Sequence, residues 1–371
     1  MSYHGRFEQA KQPGKKKGLK IFLIVIAVIL ALLLIFAGAA YLYLQSKLKK
    51  MNIIELPKDT YAYTEPTDEV TRPPETGAET TEATTEATVP KMTADDIVNI
   101  LFVGQAARAG EEETMADSTM LVSINTYTKE ITCMSILRDS FVKLPDYKGH
   151  QCGRAKFTVC YNLGYQWGGG TAGGMEMTNI CLKDNFGIEV DYNVEVSFDS
   201  FIKMIDYIDG VDIDLTQAEA DYLNKDTLYV KRTIEPGVQR LQGMEALSYA
   251  RMRKAAGDSE SDIKRTERQR KVVEALLEKF RYRSIADLNN WIDILLPMVS
   301  TTMTPADVTK LAARVLPIFS ELKIKGATVP MEGWGDMVDI YNDGQIHSVM
   351  RFDTAKEKKL IRAITEAEVS D

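Results

Sequence analysis

The sequence predicts an α/β fold: a single α/β/α sandwich around a mixed central sheet, preceded by one transmembrane helix. Three observations carry this reading. From about residue 95 short apolar runs alternate with helical periods, the pattern of strands and helices stacked in layers. Residues 21–45 form an uncharged apolar run flanked by cations. Between the two, residues 59–91 hold Thr, Glu, Pro and Ala with hardly an aliphatic side chain.

The run IFLIVIAVILALLLIFAGAAYLYLQ (21–45) rises about 1.5 Å per helical residue, enough to cross a hydrocarbon core of about 30 Å. A signal peptide is the competing reading, but its apolar region would be about 7 to 15 residues long and end in small residues. This run ends in GAAYLYL, with aromatics suited to a membrane interface. Arg6, Lys11, Lys15, Lys16, Lys17 and Lys20 precede it against Glu8, and Lys47, Lys49 and Lys50 follow it, an excess that puts the N-terminus inside and the bulk of the chain outside. Residues 1–20 are then a basic cytoplasmic tail, 46–94 a flexible extracellular linker, and 95–371 a folded extracellular domain. The linker cannot bury enough surface to offset the entropy of ordering it.

Within the domain, residues 98–104, 120–125 and 131–137 read as neighbouring strands, the last two joined by NTYTKE. Phe198 to Ile208 reads as a helix with Phe201, Ile202, Ile205 and Ile208 on one side, followed by a strand over 211–215. Residues 285–322 carry further helical periodicity, through Trp291, Ile292, Ile294, Leu295 and Met298 and then Val308, Leu311, Val315 and Leu316. DTAKEKKLIRAITEA reads as a closing helix capped by Asp353 or Thr354. Cys133, Cys152, Cys160 and Cys181 fall outside the membrane, where disulfides are permitted, and spacing selects none of the three pairings over free structural thiols. There is no C-x-x-C, and His4, His150 and His347 are scattered, which argues against a zinc site or a His-based triad.

Residues 251–270, RMRKAAGDSESDIKRTERQR, gather seven Lys or Arg in a chain of formal net charge −8. A solvated helix face is the usual fate of such a run. Helical rotation from a start near Ser261 puts Asp262, Arg265 and Gln269 on the face that later carries Val272, Val273, Leu276 and Phe280. Lys264, Glu267, Lys271, Glu274 and Glu278 take the opposite face, with Arg268 on the margin. Charges aimed inward need partners. An internal Asp262–Arg265 ion pair is one solution and an anionic ligand the other. Arg251 and Arg253, two apart in an extended piece, lie on one side and converge on the helix start, and several guanidiniums at a helix N-terminus form a receptor for phosphate or pyrophosphate. Nucleic acid would satisfy the same chemistry but lies on the wrong side of the membrane. Residues 194–208, 272–280 and 291–298 could line an apolar groove, but ordinary core is preferred and no lipid contact is assigned.

Several separated blocks, in order from about residue 97, resemble the LytR-CpsA-Psr family of envelope glycopolymer transferases. NILFVGQAARAGEEETMADSTMLVSIN is similar to the family's opening strand, Gly-x-Asp-x-Arg loop and Asp-bearing second strand; SILRDS to Ile-Pro-Arg-Asp; AKFTVCYNLGY, more loosely, to Lys-Ile-Asn-x-Ala-Tyr; ALSYARMR to Ala-x-x-Tyr-x-Arg-x-Arg; and DIKRTERQ to Asp-x-x-Arg-x-x-Arg-Gln. The resemblance implies that Arg138, Arg251, Arg253, Arg265 and Gln269, with Arg108 and Lys156, hold the pyrophosphate of a polyprenyl-linked glycan. It implies that Asp117 helps bind a Mg2+ ion bridging that pyrophosphate, that Asp262 orients an arginine or assists deprotonation of the acceptor, and that Asp139 supports Arg138. The chain departs from the pattern at Ala106, where a second metal-binding carboxylate is expected and Glu111, Glu112 or Glu113 would have to substitute; Leu137 and Thr158 replace the pattern's Pro and Asn.

The activity so implied is phosphotransfer: a peptidoglycan hydroxyl attacks the glycan-proximal phosphorus of a teichoic acid or capsule precursor, and polyprenyl phosphate leaves. The Ala106 change keeps a second reading open, a non-catalytic envelope protein that binds polyprenyl-phosphate-linked glycan. A transcriptional regulator is the third, opposed by a cytoplasmic tail with no helix-turn-helix signal.

Overall fold

The computed structural model describes residues 46–57, 93, 96–105, 116–253, 262–281, 294–331, 335–342 and 345–365. The chain divides into two units, Met1–Lys50 and Met51–Asp371. In the first, residues 46–48 are helical. The expected tail and membrane helix (1–45) and the Thr/Glu/Pro-rich stretch 59–91 lie outside the described residues, among which no helix is long and apolar enough to cross a membrane.

The strands are β1 (Asn52–Ile53), β2 (Ile97–Gln105), β3 (Ala116–Asn125), β4 (Glu130–Ile136), β5 (Phe141–Lys143), β6 (Arg154–Lys156), β7 (Tyr192–Ser197), β8 (Val211–Leu215), β9 (Gly237–Leu241), β10 (Val299–Thr301), β11 (Lys323–Val329), β12 (Gly335–Asn342) and β13 (Gln345–Phe352). The helices are α1 (Thr158–Trp167), α2 (Thr171–Phe186), α3 (Phe198–Tyr207), α4 (Gln217–Lys225), α5 (Gly243–Arg251), α6 (Asp262–Arg281), α7 (Pro305–Val315) and α8 (Thr354–Thr365). A mixed sheet of order β1-β10-β7-β2-β3-β4-β11 forms the centre. The three strands expected at its start are neighbours there, β2 antiparallel to β3 and β3 to β4. Because β7 runs parallel to β2 and β11 parallel to β4, the C-terminal ends of all four meet at one edge, beside the start of β3.

Two expectations are corrected. The linker does not fill 46–94: Asn52–Ile53 pairs with β10, and Ile54 and Leu56 pack on the core, because this stretch carries aliphatic residues that the acidic tether lacks. Residues 285–322 are not helical throughout. Val299–Thr301 is a strand antiparallel to β7, and Leu316, placed on the helical stripe by its period, is 61% exposed where Pro317 ends α7 in a 3-10 turn. Other readings match the structure. Ser197 caps α3 by accepting from the Ser200 N–H, Ile205 and Ile208 are buried below it, and Asp353 caps α8 by accepting from the N–H groups of Ala355 and Lys356. All four cysteines are free thiols; burial raises Cys133 to about 12, which keeps it an inert core residue.

The core has three parts. Leu101, Val103, Leu121 and Met134 on one face of the sheet pack against α1 and α2, each side chain contributing roughly 1.5–3 kcal/mol. Met120, Val122 and Cys133 on the other face meet Val273 and Leu277 of α6 and Val308 and Leu311 of α7. A third cluster joins α3, α4, α5 and the β8–β9 hairpin to Val272 of α6. The sheet is therefore covered by helices on both faces, as the sandwich requires.

Candidate functional site

Helix α6 decides where the site lies. Ser135 of β4 donates to the Thr266 carbonyl, Arg270 reaches the Ala327 carbonyl of β11, and Arg281 bonds the Leu322 carbonyl just before β11 begins. The helix thus runs back along the sheet from its C-terminal edge, and its first turns sit where β2, β4, β7 and β11 end.

Beneath α6 is a cavity of about 760 Å³. Its floor is Phe102, Met120 and Val122 of β2 and β3 with Val194 and Val196 of β7; its walls come from Phe198 and Phe201 of α3, Leu247 and Ala250 of α5, and Val272, Val273, Leu276 and Leu277 of α6. Parts of 194–208 and 272–280 therefore border a hollow, the groove reading that the sequence left open, and the preference for ordinary core is corrected there. Periodicity marks an apolar face but carries no information about what covers it. Residues 291–293 lie outside the described residues.

Arg251, Arg253, Arg265 and Gln269 line the same cavity. Arg265 and Gln269 belong to the first turns of α6 and its apolar lining follows, so the polar groups mark one end. Arg251 closes α5 and Arg253 follows the buried Met252, which puts both guanidiniums on the same side of the chain. Arg265 is 3% exposed. Three residues on, Arg268 is equally buried but turned away from the cavity: its Nε donates to Glu219 at 2.9 Å and a terminal nitrogen to the Met252 carbonyl at 3.1 Å. Burial pushes the Glu219 carboxyl up, but hydrogen bonds from Thr216 and Arg268 outweigh it and hold the group below its ordinary value. Arg270 points to the far flank, onto Ala327 and Thr328.

A second group of cations lies at the same sheet edge but outside the cavity lining. Lys156 Nζ is 2.7 Å from Asp139 Oδ1, and Arg138 Nε is 3.9 Å from Asp139 Oδ2, so one carboxylate bridges both. Thr158 at the start of α1 donates its N–H to the Arg138 carbonyl and its hydroxyl to the Ala116 carbonyl, fastening this group to the first residue of β3. Leu137, buried, donates its N–H to Val329, a bond no proline could make. Asp117 follows Ala116 in β3 and Asp262 opens α6; their side chains, like Ala106, Arg108 and Glu111 to Glu113, lie outside the described residues. Among the described residues no cluster of three or more His, Cys, Asp or Glu could hold a metal.

Sequence reading missed Phe198, Tyr229 and Glu219. The Arg251 guanidinium sits 5.2 Å from the Phe198 ring and 5.9 Å from that of Tyr229, and donates to the Tyr229 hydroxyl at 3.1 Å. Tyr229 falls in TLYVKRTIEP, a loop without periodicity, and offered no local signal. An apolar hollow with guanidiniums and a helix start at one end is built for an amphiphile with an anionic head.

The LytR_cpsA_psr family model matches residues 66–359. The chain belongs to this family. Its relatives include regulatory protein MsrR of Staphylococcus aureus, 30% identical over 254 residues that cover 67% of this chain and 69% of MsrR. Another is the polyisoprenyl-teichoic acid–peptidoglycan teichoic acid transferase TagU of Oceanobacillus iheyensis, 29% identical over 262 residues, 68% of this chain and 74% of TagU. Among solved structures, B. subtilis TagT superposes with a TM-score of 0.54 at 22% identity, over 75% of this chain and 94% of TagT. The family protein YwtF (TagT) with bound octaprenyl pyrophosphate lipid gives 0.52 at 21%, over 76% and 95%. These likenesses establish the mixed central sheet as the family fold.

Proposed function

We propose that this protein is a membrane-anchored extracytoplasmic phosphotransferase that moves a glycopolymer from a polyprenyl pyrophosphate carrier onto peptidoglycan. The observation that carries the reading is the cavity: an apolar hollow of about 760 Å³ whose end is lined by Arg251, Arg253, Arg265 and Gln269. A prenyl chain fits the hollow and a pyrophosphate fits the arginines. TagU is named as a teichoic acid transferase, and YwtF binds octaprenyl pyrophosphate, which supports the choice of substrate. The apolar run 21–45 would hold the domain at the outer membrane surface, within reach of both lipid carrier and wall.

In this reading the oxygen of a peptidoglycan hydroxyl attacks the glycan-proximal phosphorus. The bond from that phosphorus to the bridging oxygen breaks, polyprenyl phosphate departs with the electron pair, and the hydroxyl proton is lost to a nearby base. Arg251, Arg253 and Arg265 bind the pyrophosphate and stabilise the charge that grows on the leaving phosphate; Gln269 donates beside them. Arg138 and Lys156, held by Asp139, and Arg108 complete the positive field, and Asp262 takes the proton or orients an arginine. Magnesium commonly takes one or two carboxylates and completes its shell with phosphate oxygens and water, so Asp117 with the pyrophosphate suits it despite Ala106, and when bound it would supply further charge neutralisation.

The test is release of polyprenyl phosphate when the full-length protein meets labelled polyprenyl-pyrophosphate-linked glycan and peptidoglycan, with and without Mg2+. Turnover above an Arg265→Ala control supports the enzyme. Binding without such turnover would leave the carrier-binding reading that Ala106 motivates and sink the transferase.

A further inference from the structure

We infer that Tyr229 and Phe198 are positioning residues for Arg251, and that the loop carrying Tyr229 ties the lip of the cavity to its cationic end. The inference rests on the pyrophosphate reading of that end. Ser248 and Arg251 are three apart on α5 and share a face; Asp226 and Tyr229 are three apart in the segment after α4. The two pairs meet rung by rung. Ser248 Oγ donates to Asp226 Oδ2 at 2.5 Å, and a terminal nitrogen of Arg251 donates to the Tyr229 hydroxyl at 3.1 Å. All four residues line the cavity.

The rest of the loop is fastened separately. Asn224 exchanges hydrogen bonds with the Ile234 backbone at 2.9 and 2.8 Å, and Arg232 pairs with Glu245 at 2.8 Å. Between these fastenings Leu228, 68% exposed, stands at the cavity lining beside Tyr229. The grip on Arg251 is therefore not needed to hold the loop shut.

What the grip does is fix a guanidinium. Arg251 is exposed at the end of its helix, where a long side chain would sample many rotamers. Phe198 and Tyr229 rings at 5.2 and 5.9 Å and the hydroxyl at 3.1 Å hold its plane in one orientation. One of five N–H donors is spent on the hydroxyl, and the planar fork carries the others in a fixed geometry toward an anion. A guanidinium ordered before binding loses less entropy when the pyrophosphate arrives.

The experiment is a double-mutant cycle read by calorimetry on the full-length protein in detergent, with farnesyl pyrophosphate and neutral farnesol as probes. Tyr229→Phe keeps the ring and removes the hydroxyl. It should weaken farnesyl pyrophosphate binding about three- to tenfold and leave farnesol binding unchanged. In an Arg251→Ala background the same substitution should do nothing further, because its effect passes through the guanidinium. Phe198→Leu removes the facing ring and also a piece of the cavity wall, so it should weaken both probes but farnesyl pyrophosphate more, and only that excess should vanish in the Arg251→Ala background. For Tyr229→Phe, an equal loss in both backgrounds, a matching loss for farnesol, or no loss at all overturns the positioning role. Failure of the unsubstituted protein to bind farnesyl pyrophosphate is a different result: it overturns the pyrophosphate reading itself, and the inference with it.

Discussion

On β2 and β3, Leu101, Val103 and Leu121 face one side of the sheet and are buried against α1 and α2, while Phe102, Met120 and Val122 face the other and border the cavity. The same strands make both surfaces, with similar side chains. The difference lies in the cover. Helices α1 and α2 meet with no Cβ between them, since a methyl on Gly164 or Gly173 would strike the backbone of the other helix, and the pair presses into the sheet as one layer. On the opposite side α3, α4 and α5 pack mainly on one another and on the β8–β9 hairpin, joined by Val272 of α6. They roof the sheet instead of filling it. The hollow here comes from helices satisfied by each other, with no loss of apolar residues beneath.

The largest effect should separate two arginines of α6. Arg265→Ala should lower transfer roughly 10²–10³-fold, the usual cost of removing a preorganised charge donor, while Arg268→Ala should cost about 3–5 kcal/mol by stranding Glu219 as a buried carboxylate. Turnover assays paired with urea unfolding check both; reversed outcomes would mean the roles are exchanged.

Between the two faces, Leu121→Ala should cost roughly 2–5 kcal/mol, and Met120→Ala less than half as much because part of Met120 already borders empty space. Met120→Trp should instead fill the hollow, weakening farnesyl pyrophosphate binding about tenfold with little change in unfolding midpoint. Equal costs for the two alanine variants would mean the hollow is packed in solution.

The smallest effect concerns two carboxylates. Burial raises Glu195, which accepts from Tyr161 and Thr171 on the α1–α2 side, whereas Glu219 ends below its ordinary value. A raised carboxyl favours the folded state below its unfolded pKa of about 4.3, and that stability is lost as pH rises through the folded pKa. Wild-type protein should therefore lose stability relative to Glu195→Gln, which still accepts from Tyr161, as pH climbs from about 4.3 through the folded pKa. Glu219 has the opposite sign: its contribution is present above about 4.3 and is lost as pH falls through the folded pKa. Unfolding midpoints of wild type, Glu195→Gln and Glu219→Gln across pH check the pair.

Local periodicity was enough for much of the fold and part of the site. The β2, β3 and β4 runs, the α3 stripe and the Asp353 cap follow from spacings of 2 and 3.6 that every strand and helix obeys. The same helical spacing puts Arg265 and Gln269 on the face of Val272 and Leu276, so those residues share a wall wherever the helix docks. The family resemblance carried by the separated blocks was also legible in the residues alone.

Docking itself was decided by contacts distant in sequence. Residues 299–301 became a strand because β7 offered an edge, and β11 to β13 gave too little pattern to be read. Arg265 and Arg268 differ by about 60° on one helix. Only the arrival of Glu219 from α4, 49 residues away, made one a structural ion and left the other lining the cavity. The grip of Tyr229 on Arg251 spans 22 residues, across an irregular loop, β9 and α5. Periodicity states which residues share a face; which partner that face meets depends on packing between elements, and no local rule encodes it.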